Sequence, residues 1–374
     1  MPSPLRIAAY VDLRYTTRKP TGVDKHIARM VHGLATTPEC AVSVLAPRSQ
    51  LSRPAAAIPN ASSLAGLPVD AIPVSNRMAR MLWAASPWPP IDRFCQGVDW
   101  IYSPQELWAP AKHARTAVTI HGATYFEREY PGYHSAWATF ERARMQWFLE
   151  QVCRHADLVI SVSRYLESFL IDRFGLDPHR SLVVGNGIDE CFFAVGRQPA
   201  ATYDHDRILV VGGLNDWDGA AHVLAAADLL HRKLPSVTIE IAGTFDEAKY
   251  VKAADARPNI RRLGYVATQQ LAAMMPGYLA LLYLPNVESF GLAAVEAMAA
   301  GLPVIACRRT AVPETAGDAV IFVDEQSPDV ILNAVQSLRD SATSRTAWIS
   351  RGKARAAGFT WSSCVHRLTA ALAG

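Results

Sequence analysis

Two glutamates, Glu288 and Glu296, stand at E-x7-E spacing across the junction of a polar turn and a small-residue helix. From Leu292 to Ala300 every side chain is apolar except that of Glu296. A helix apolar on nearly every side is buried, and a buried carboxylate without a partner is costly. Glu296 is therefore expected to bind something, and a sugar hydroxyl would serve. Glu288 precedes the same helix, where the dipole favours negative charge and where phosphate can also be held.

The elements that must position this pair are legible around it. Residues 279–284 read as an apolar strand, 285–289 as a polar loop and 290–300 as the helix. Gly301 and Pro303 stop the helix, and 303–307 reads as the next strand. This is a βαβ unit with its loop at the carboxyl end of a parallel strand, where open α/β sheets bind ligands.

Strands and helices alternate through both halves, which predicts an α/β fold with parallel sheets. In the first half, strands are expected at 5–11, 41–46, 98–102, 117–121, 158–162 and 182–184. Helices are expected at 23–34, 133–154 and 164–174. Residues 48–76, rich in Pro, Ala and Ser, read as an irregular excursion. A polar connector around 197–206 suggests a domain boundary. The second half restarts with a strand at 208–211, a helix at 220–234 and a strand at 238–242.

The chain has 374 residues, which suits two domains, and half of them are hydrophobic. Lys and Arg total 37 against 34 Asp and Glu, a net charge of +3 that argues against a nucleic-acid partner. The six cysteines are scattered without metal-ligand spacing, as core thiols of a reducing compartment would be. No stretch reads as a signal peptide or a membrane span. A cytoplasmic protein is expected, with peripheral contact at the inner membrane surface left open.

The run Glu288-Ser289-Phe290-Gly291-Leu292…Glu296-Ala297-Met298-Ala299-Ala300-Gly301-Leu302-Pro303-Val304 resembles the signature of retaining GT-B glycosyltransferases of family 4, group 1. That family includes bacterial mannosyl-, rhamnosyl- and glucosyltransferases. Pro313-Glu314, Phe359-Thr360-Trp361, Gly185-Asn186-Gly187-Ile188-Asp189, His121-Gly122 and Thr21-Gly22-Val23 resemble further family elements, in the right order.

The resemblance implies two Rossmann-like parallel-sheet domains facing an interdomain cleft. They would span residues 1–196, for the acceptor, and 197–358, for the nucleotide sugar, with a helix at 359–374 crossing back to the first. It implies that Glu288 contacts the donor sugar and that Glu296 accepts hydrogen bonds from the ribose diol. Ser289 belongs to the same loop. Phe290, Gly291 and Leu292 would offer backbone N–H groups to the sugar or its phosphates. His121 would lie near the transferred sugar, and Gly22 would let the first loop approach phosphate or acceptor. Tyr265 and Val266 would hold the base through main-chain groups.

Plainer readings stand beside these. Glu288 could be an ordinary first-turn carboxylate, Glu296 a snorkelling helix-edge residue, and His121, Gly22 and Val266 structural. The segment around Arg77 to Trp83 reads as a covered core helix or a membrane-facing one. Tyr125, Tyr130, Tyr133 and Trp137 read as an acceptor platform or as packing.

The chain also departs from the family. The usual diphosphate-binding Arg and Lys fall at Gly213 and Asp218, leaving Arg308, Arg309 or Lys25 as substitutes. The reaction implied is retaining transfer of a hexose from a nucleoside-diphosphate sugar to a glycan or lipid-linked glycan. GDP-mannose or a UDP-sugar is the expected donor, with no cofactor and no metal. The alternative is a catalytically impaired sugar-nucleotide- or glycan-binding protein on the same fold. A Rossmann oxidoreductase or epimerase is disfavoured, because no G-x-G-x-x-G follows the first strand.

Overall fold

The structure, a computed structural model, describes residues 3–16, 21–52, 57–127, 134–198, 202–245, 247–323 and 327–374. Tyr130, Tyr133 and part of the polar connector lie outside them. The chain divides into two compact units. The first comprises Met1–Gly122, Ala143–Gly187 and Trp361–Gly374; the second comprises Ala123–Arg142 and Ile188–Thr360.

In the first unit the strands are β1 (Leu5–Tyr10), β2 (Cys40–Pro47), β3 (Val69–Ile72), β4 (Trp100–Ser103), β5 (Arg115–Ile120), β6 (Leu158–Ser161) and β7 (Ser181–Val183). They form a parallel sheet in the order β3-β2-β1-β4-β5-β6-β7. In the second unit, β8 (Arg207–Gly213), β9 (Thr238–Thr244), β10 (Ile260–Gly264), β11 (Ala280–Tyr283), β12 (Val304–Cys307) and β13 (Ile321–Val323) form another. Its order is β10-β9-β8-β11-β12-β13, all parallel. Each order reverses once, between β1 and β4 and between β8 and β11. Such switch points open a crevice at the carboxyl ends of the strands.

The helices are α1 (Gly22–Ala35), α2 (Asn76–Ala85), α3 (Ala136–His155), α4 (Arg164–Phe174), α5 (Glu190–Gly196), α6 (Ala220–Lys233) and α7 (Ala248–Asp255). They continue with α8 (Thr268–Met274), α9 (Leu292–Ala300), α10 (Val312–Ala316), α11 (Pro328–Asp340), α12 (Ala342–Ala356) and α13 (Trp361–Ala373). Helix α1 starts at a capping box, in which the Thr21 side chain accepts from Asp24 N–H and the Asp24 carboxylate accepts from Thr21 N–H. Its apolar face (Ile27, Met30, Val31, Leu34) is fully buried. In the first unit α13 joins this core through Cys364, Val365, Leu368 and Leu372. The second core gathers Ile208, Val210, Ile239, Ile241 and Leu282 from the strands and Val223, Leu230, Ile331 and Val335 from the helices. Each fully buried aliphatic side chain contributes about 1.5–3 kcal/mol.

Two expectations change. Residues 48–76 are not wholly irregular, since β3 lies within them. Helix α2 is only half covered. Ala79 and Trp83 are buried, whereas Met78, Met81 and Leu82 are 53 %, 67 % and 44 % exposed.

Candidate functional site

Strand β11 ends at Tyr283, and the next residues turn back along the carboxyl edge of the sheet to start α9. Glu288 is half-buried in this turn. Its Oε1 accepts from the backbone N–H groups of Ser289 (2.9 Å) and Phe290 (3.0 Å), and its Oε2 accepts from the buried Tyr283 phenol. Burial, then the adjacent Glu288 charge, pushes the Tyr283 phenol far above its usual range, so it stays protonated and donating.

The backbone of Glu288 is held from the β12–α10 loop. Its N–H donates to Thr310 Oγ1 (2.8 Å), and its carbonyl accepts from Ala311 N–H (3.1 Å). Thr310 has φ 47°, rare for a β-branched residue. Such a conformation costs of order 1–3 kcal/mol and persists only where the surroundings enforce it. Here it aims the hydroxyl that fixes Glu288. Nothing in the motif marked Thr310 in advance; its signal is purely conformational.

Gly291 caps α9 at φ 95°, a conformation glycine adopts without strain, and no side chain caps the helix. The N–H groups of Leu292 and Ala293 in the first turn of α9 are thus left to a ligand or solvent, while Ala294 N–H donates to Gly291 O (3.1 Å). Phe290 differs from the sequence reading in this respect, because its N–H is already committed to Glu288. The Phe290 ring instead stands edge-on to Phe359 at 5.8 Å.

Glu296 is 4 % exposed, in a helix enclosed by α5, α12, β11 and β12. It takes part in an interaction within the protein, so burial by itself does not demand a ligand. Its candidacy rests on its place in the motif.

Across the switch point, the loop after β8 meets the loop after β11. Asn286 N–H donates to Trp217 O (2.8 Å), and its side-chain amide donates to Asp216 O (2.7 Å). Asp216 pairs with Lys249 (3.0 Å) and Tyr250, whereas Asp218 is bonded to Asn215, so the two carboxylates serve different partners.

Gly213 has φ 100°, and a Cβ there would sit 1.9 Å from Thr244 O. The paired ends of β8 and β9 close over the place where the family's arginine side chain was sought, so this backbone admits none. Arg309, one of the substitutes considered, follows β12 on the carboxyl edge of the same sheet. It lies close enough to half-buried His222 to act on its titration. Burial lowers the His222 pKa, the Asn286 hydrogen bond opposes this, and the Arg309 charge adds to the lowering. Arg308 lies over the Phe322 ring at 4.1 Å. Val266 is half-buried in the loop between β10 and α8, on the same carboxyl edge.

Gly22 and His121 belong to the first unit. Gly22 is the exposed first residue of α1. His121 follows β5; its N–H donates to Glu106 Oε1 (2.7 Å) and its Nε2–H to Pro104 O (2.9 Å). Its ring stands edge-on to that of His26 at 4.7 Å. His26 is fully buried, with Nδ1 bonded to Asn186 Oδ1 (2.8 Å) and its ring 5.9 Å from Trp361. Sequence reasoning overlooked His26. Its signal was a histidine on the same helical face as Met30, where a buried polar group needs a partner. Tyr125 meets Trp137 edge-on at 5.8 Å.

Residues 20–191 match the family described as Glycosyltransferase Family 4, and residues 197–355 match Glycosyl transferases group 1. The chain belongs to this glycosyltransferase family. Among relatives of the glycosyltransferase, O-antigen chain mannosyltransferase B of Escherichia coli is 26 % identical over 283 residues, covering 71 % of this chain and 72 % of that protein. D-inositol 3-phosphate glycosyltransferase of Kineococcus radiotolerans is 28 % identical over 242 residues, covering 57 % of this chain and 56 % of that protein. Sucrose-phosphate synthase from Thermosynechococcus elongatus superposes with a TM-score of 0.73 at 16 % identity, over 98 % of each chain. HepE of Anabaena in complex with UDP does so with a TM-score of 0.71 at 16 % identity, over 99 % of each chain. These likenesses show the GT-B fold, with its two parallel-sheet α/β domains. No described helix of the glycosyltransferase is long and apolar enough to cross a membrane.

Proposed function

We propose that this glycosyltransferase moves a hexose, of mannose type, from a nucleoside-diphosphate sugar to a glycan or lipid-linked glycan, with retention at the anomeric carbon. The observation that carries the reading is the Glu288 turn. A carboxylate fixed by Tyr283 and two backbone N–H groups, on a residue whose own N–H is held by Thr310, precedes an uncapped helix N-terminus at a sheet switch point. Such a turn can orient sugar hydroxyls while the helix end holds phosphate.

The roles follow the chemistry of each group. Glu288 orients the sugar, and Glu296 accepts from the ribose diol. The backbone near Val266 takes the base. Gly291 and Leu292 face the diphosphate, and Arg309 supplies the charge that Gly213 and Asp218 lack. Departing phosphate matches the positive charge developing on the sugar ring and can accept the acceptor's proton. No enzyme nucleophile is required, in contrast to two-carboxylate glycosidases. His121 and Gly22 serve the first unit's side of the reaction. Neither a metal nor another cofactor enters this scheme. The mannose assignment and a role in O-antigen-type polysaccharide synthesis follow the printed name of the E. coli relative, and a place on the cytoplasmic face of the inner membrane is part of the same proposal.

A second reading, a binding protein with impaired turnover, is favoured by one feature, the backbone at Gly213 that excludes a cationic side chain. Calorimetry with UDP-, GDP- and dTDP-sugars, paired with an assay for nucleoside-diphosphate release, separates the two. Binding with release supports transfer, binding without release supports the second reading, and no binding by any donor contradicts both.

A further inference from the structure

In the first unit, the Gly185-Asn186-Gly187 turn and Trp361 both meet a buried side chain to which the transfer scheme gives no role, that of His26. His26 lies in the second turn of α1 and is fully buried. An apolar side chain would fill the same space at lower cost, because a buried imidazole has two ring nitrogens to satisfy. Only one of them is satisfied here. Nδ1 is bonded to Asn186 Oδ1 (2.8 Å), whereas Nε2 closes no hydrogen bond.

The ring rests on a firm base. A Cβ on Gly187 would lie 2.3 Å from the Trp361 backbone nitrogen, so the turn that carries Asn186 packs directly against the start of α13. Trp361 also stands against the His26 ring, with 5.9 Å between centroids and 75° between planes. An amide oxygen can only accept, so Nδ1 of His26 carries the proton and the ring plane is fixed by that bond. Burial, and then the adjacent His121 charge, holds the His26 pKa well below its usual value against the Asn186 hydrogen bond, which keeps the ring neutral.

The neighbour of this fixed ring is His121, half-buried just after β5. The two rings meet edge to face, 4.7 Å between centroids and 86° between planes. Such a pair is favourable only in a narrow range of orientations. His121 Nε2 is bonded to Pro104 O (2.9 Å). A carbonyl can only accept, so Nε2 carries the proton, and in the neutral ring Nδ1 is the acceptor. This tautomer lasts only while the His121 ring keeps the plane that reaches Pro104 O, and His26 is the ring packed against it.

We propose that His26 is a positioning residue for the transfer reaction: held by Asn186 and Trp361, it fixes the ring and tautomer of His121 and so keeps His121 Nδ1 as an acceptor for a sugar hydroxyl. His26 has no exposed surface and touches no substrate itself. A group oriented in advance needs no reorientation when the sugar arrives. The 185–187 turn and Trp361 then share one task, the support of a stack that ends at His121. The part played in transfer rests on the glycosyl-transfer reading; the hold of His26 on His121 does not.

The test uses the full chain and two readouts. Two-bond proton–nitrogen NMR correlations of protein carrying isotope-labelled histidine report the tautomer of each imidazole, and the His121→Ala variant identifies the His121 signals. The wild type should show His121 as a single Nε2–H tautomer at neutral pH. His26→Ala should shift those signals toward a mixture of tautomers, and His26→Phe, which keeps a flat ring in place, should restore them. Asn186→Ala leaves both imidazoles and should give the same change in weaker form, so the coupling is read even where His26→Ala does not fold. Release of nucleoside diphosphate from GDP-mannose and from UDP-glucose reads the function. His26→Ala should lower turnover about tenfold through misplacement of His121, with donor affinity little changed. In the His121→Ala background it should lower turnover no further. His121 signals indifferent to His26→Ala and Asn186→Ala, or an equal loss of turnover from His26→Ala in both backgrounds, overturns the proposal. A wild type that releases nothing from either donor contradicts transfer instead, and the tautomer measurement still decides whether His26 holds His121.

Discussion

The Tyr283 phenol donates to one oxygen of Glu288 while two backbone N–H groups occupy the other, so the carboxylate is held from both sides before any substrate is present. An acid aimed in this way spends little entropy on orientation when a sugar arrives. Replacing Glu288 with Ala should reduce turnover by about a hundredfold or more, the loss expected for a well-placed polar group. Nucleotide affinity should change little, because in the proposed scheme Glu288 touches the part that is transferred. Tyr283→Phe should give a smaller loss in turnover of the same kind. Steady-state rates alongside nucleoside-diphosphate affinity check both, and undiminished turnover in Glu288→Ala removes it from the site.

Glu296 acts on the other end of the donor in this account. Glu296→Ala should lower nucleotide-sugar affinity by about tenfold to a hundredfold, through lost charge-assisted hydrogen bonds of about 1.5–3 kcal/mol each. Circular dichroism should show an intact fold. A folded variant with unchanged affinity by calorimetry would count against the assignment.

The diphosphate prediction concerns Arg309. Arg309→Ala should weaken nucleoside diphosphate binding about tenfold and nucleoside monophosphate binding far less, since the proposed scheme sets this charge against the outer phosphate. A competition series of UDP against UMP, or GDP against GMP, reads the difference. Equal losses for both would place Arg309 elsewhere.

Gly213 carries a structural prediction. Gly213→Ala forces a Cβ onto Thr244 O at a φ of 100° and should destabilise the protein by about 3 kcal/mol or more. Gly213→Arg, which restores the residue type usual in the family, should do the same rather than raise activity. Chemical denaturation measures both, and a stable, more active Gly213→Arg variant would refute this reading of the backbone.

Buried His26 should shape the acid side of the stability profile. Burial, then the neighbouring His121 charge, holds its pKa well below 6.5, against the opposing hydrogen bond to Asn186. The unfolded chain therefore takes up this proton more readily than the folded one. His26's contribution is complete above about pH 6.5 and drains away as pH falls toward the folded value, at up to about 1.4 kcal/mol per pH unit. Thermal melts from neutral to mildly acidic pH should show the decline, and His26→Gln should flatten part of it. An unchanged slope in that variant would assign the decline to other groups.

Much of the second unit's site could be read from the chain, because its signals are local. An all-apolar helix with one glutamate, a stop at Gly301-Leu302-Pro303 and an apolar strand on each side can arrange themselves in few ways. What escaped was conformational or non-local. The positive φ of Thr310 and the closure of β8 on β9 at Gly213 exist only once the strands pair. Strand β3 hid in a Pro- and Ala-rich stretch too short to show a period. His26 gained meaning only when the chain brought Asn186 and His121 beside it. The inference from the burial of Glu296 to a ligand was too direct, since the protein itself supplies it with an interaction.

The most direct measurement is proton NMR of the sugar released from an α-linked nucleoside-diphosphate donor during slow hydrolysis, recorded before the anomers equilibrate. Water then stands in for the acceptor, so the acceptor need not be known. The account predicts that the α-anomer appears first, with the nucleoside diphosphate as the co-product. Early appearance of the β-anomer would contradict retention, and tight donor binding with no release at all would contradict transfer.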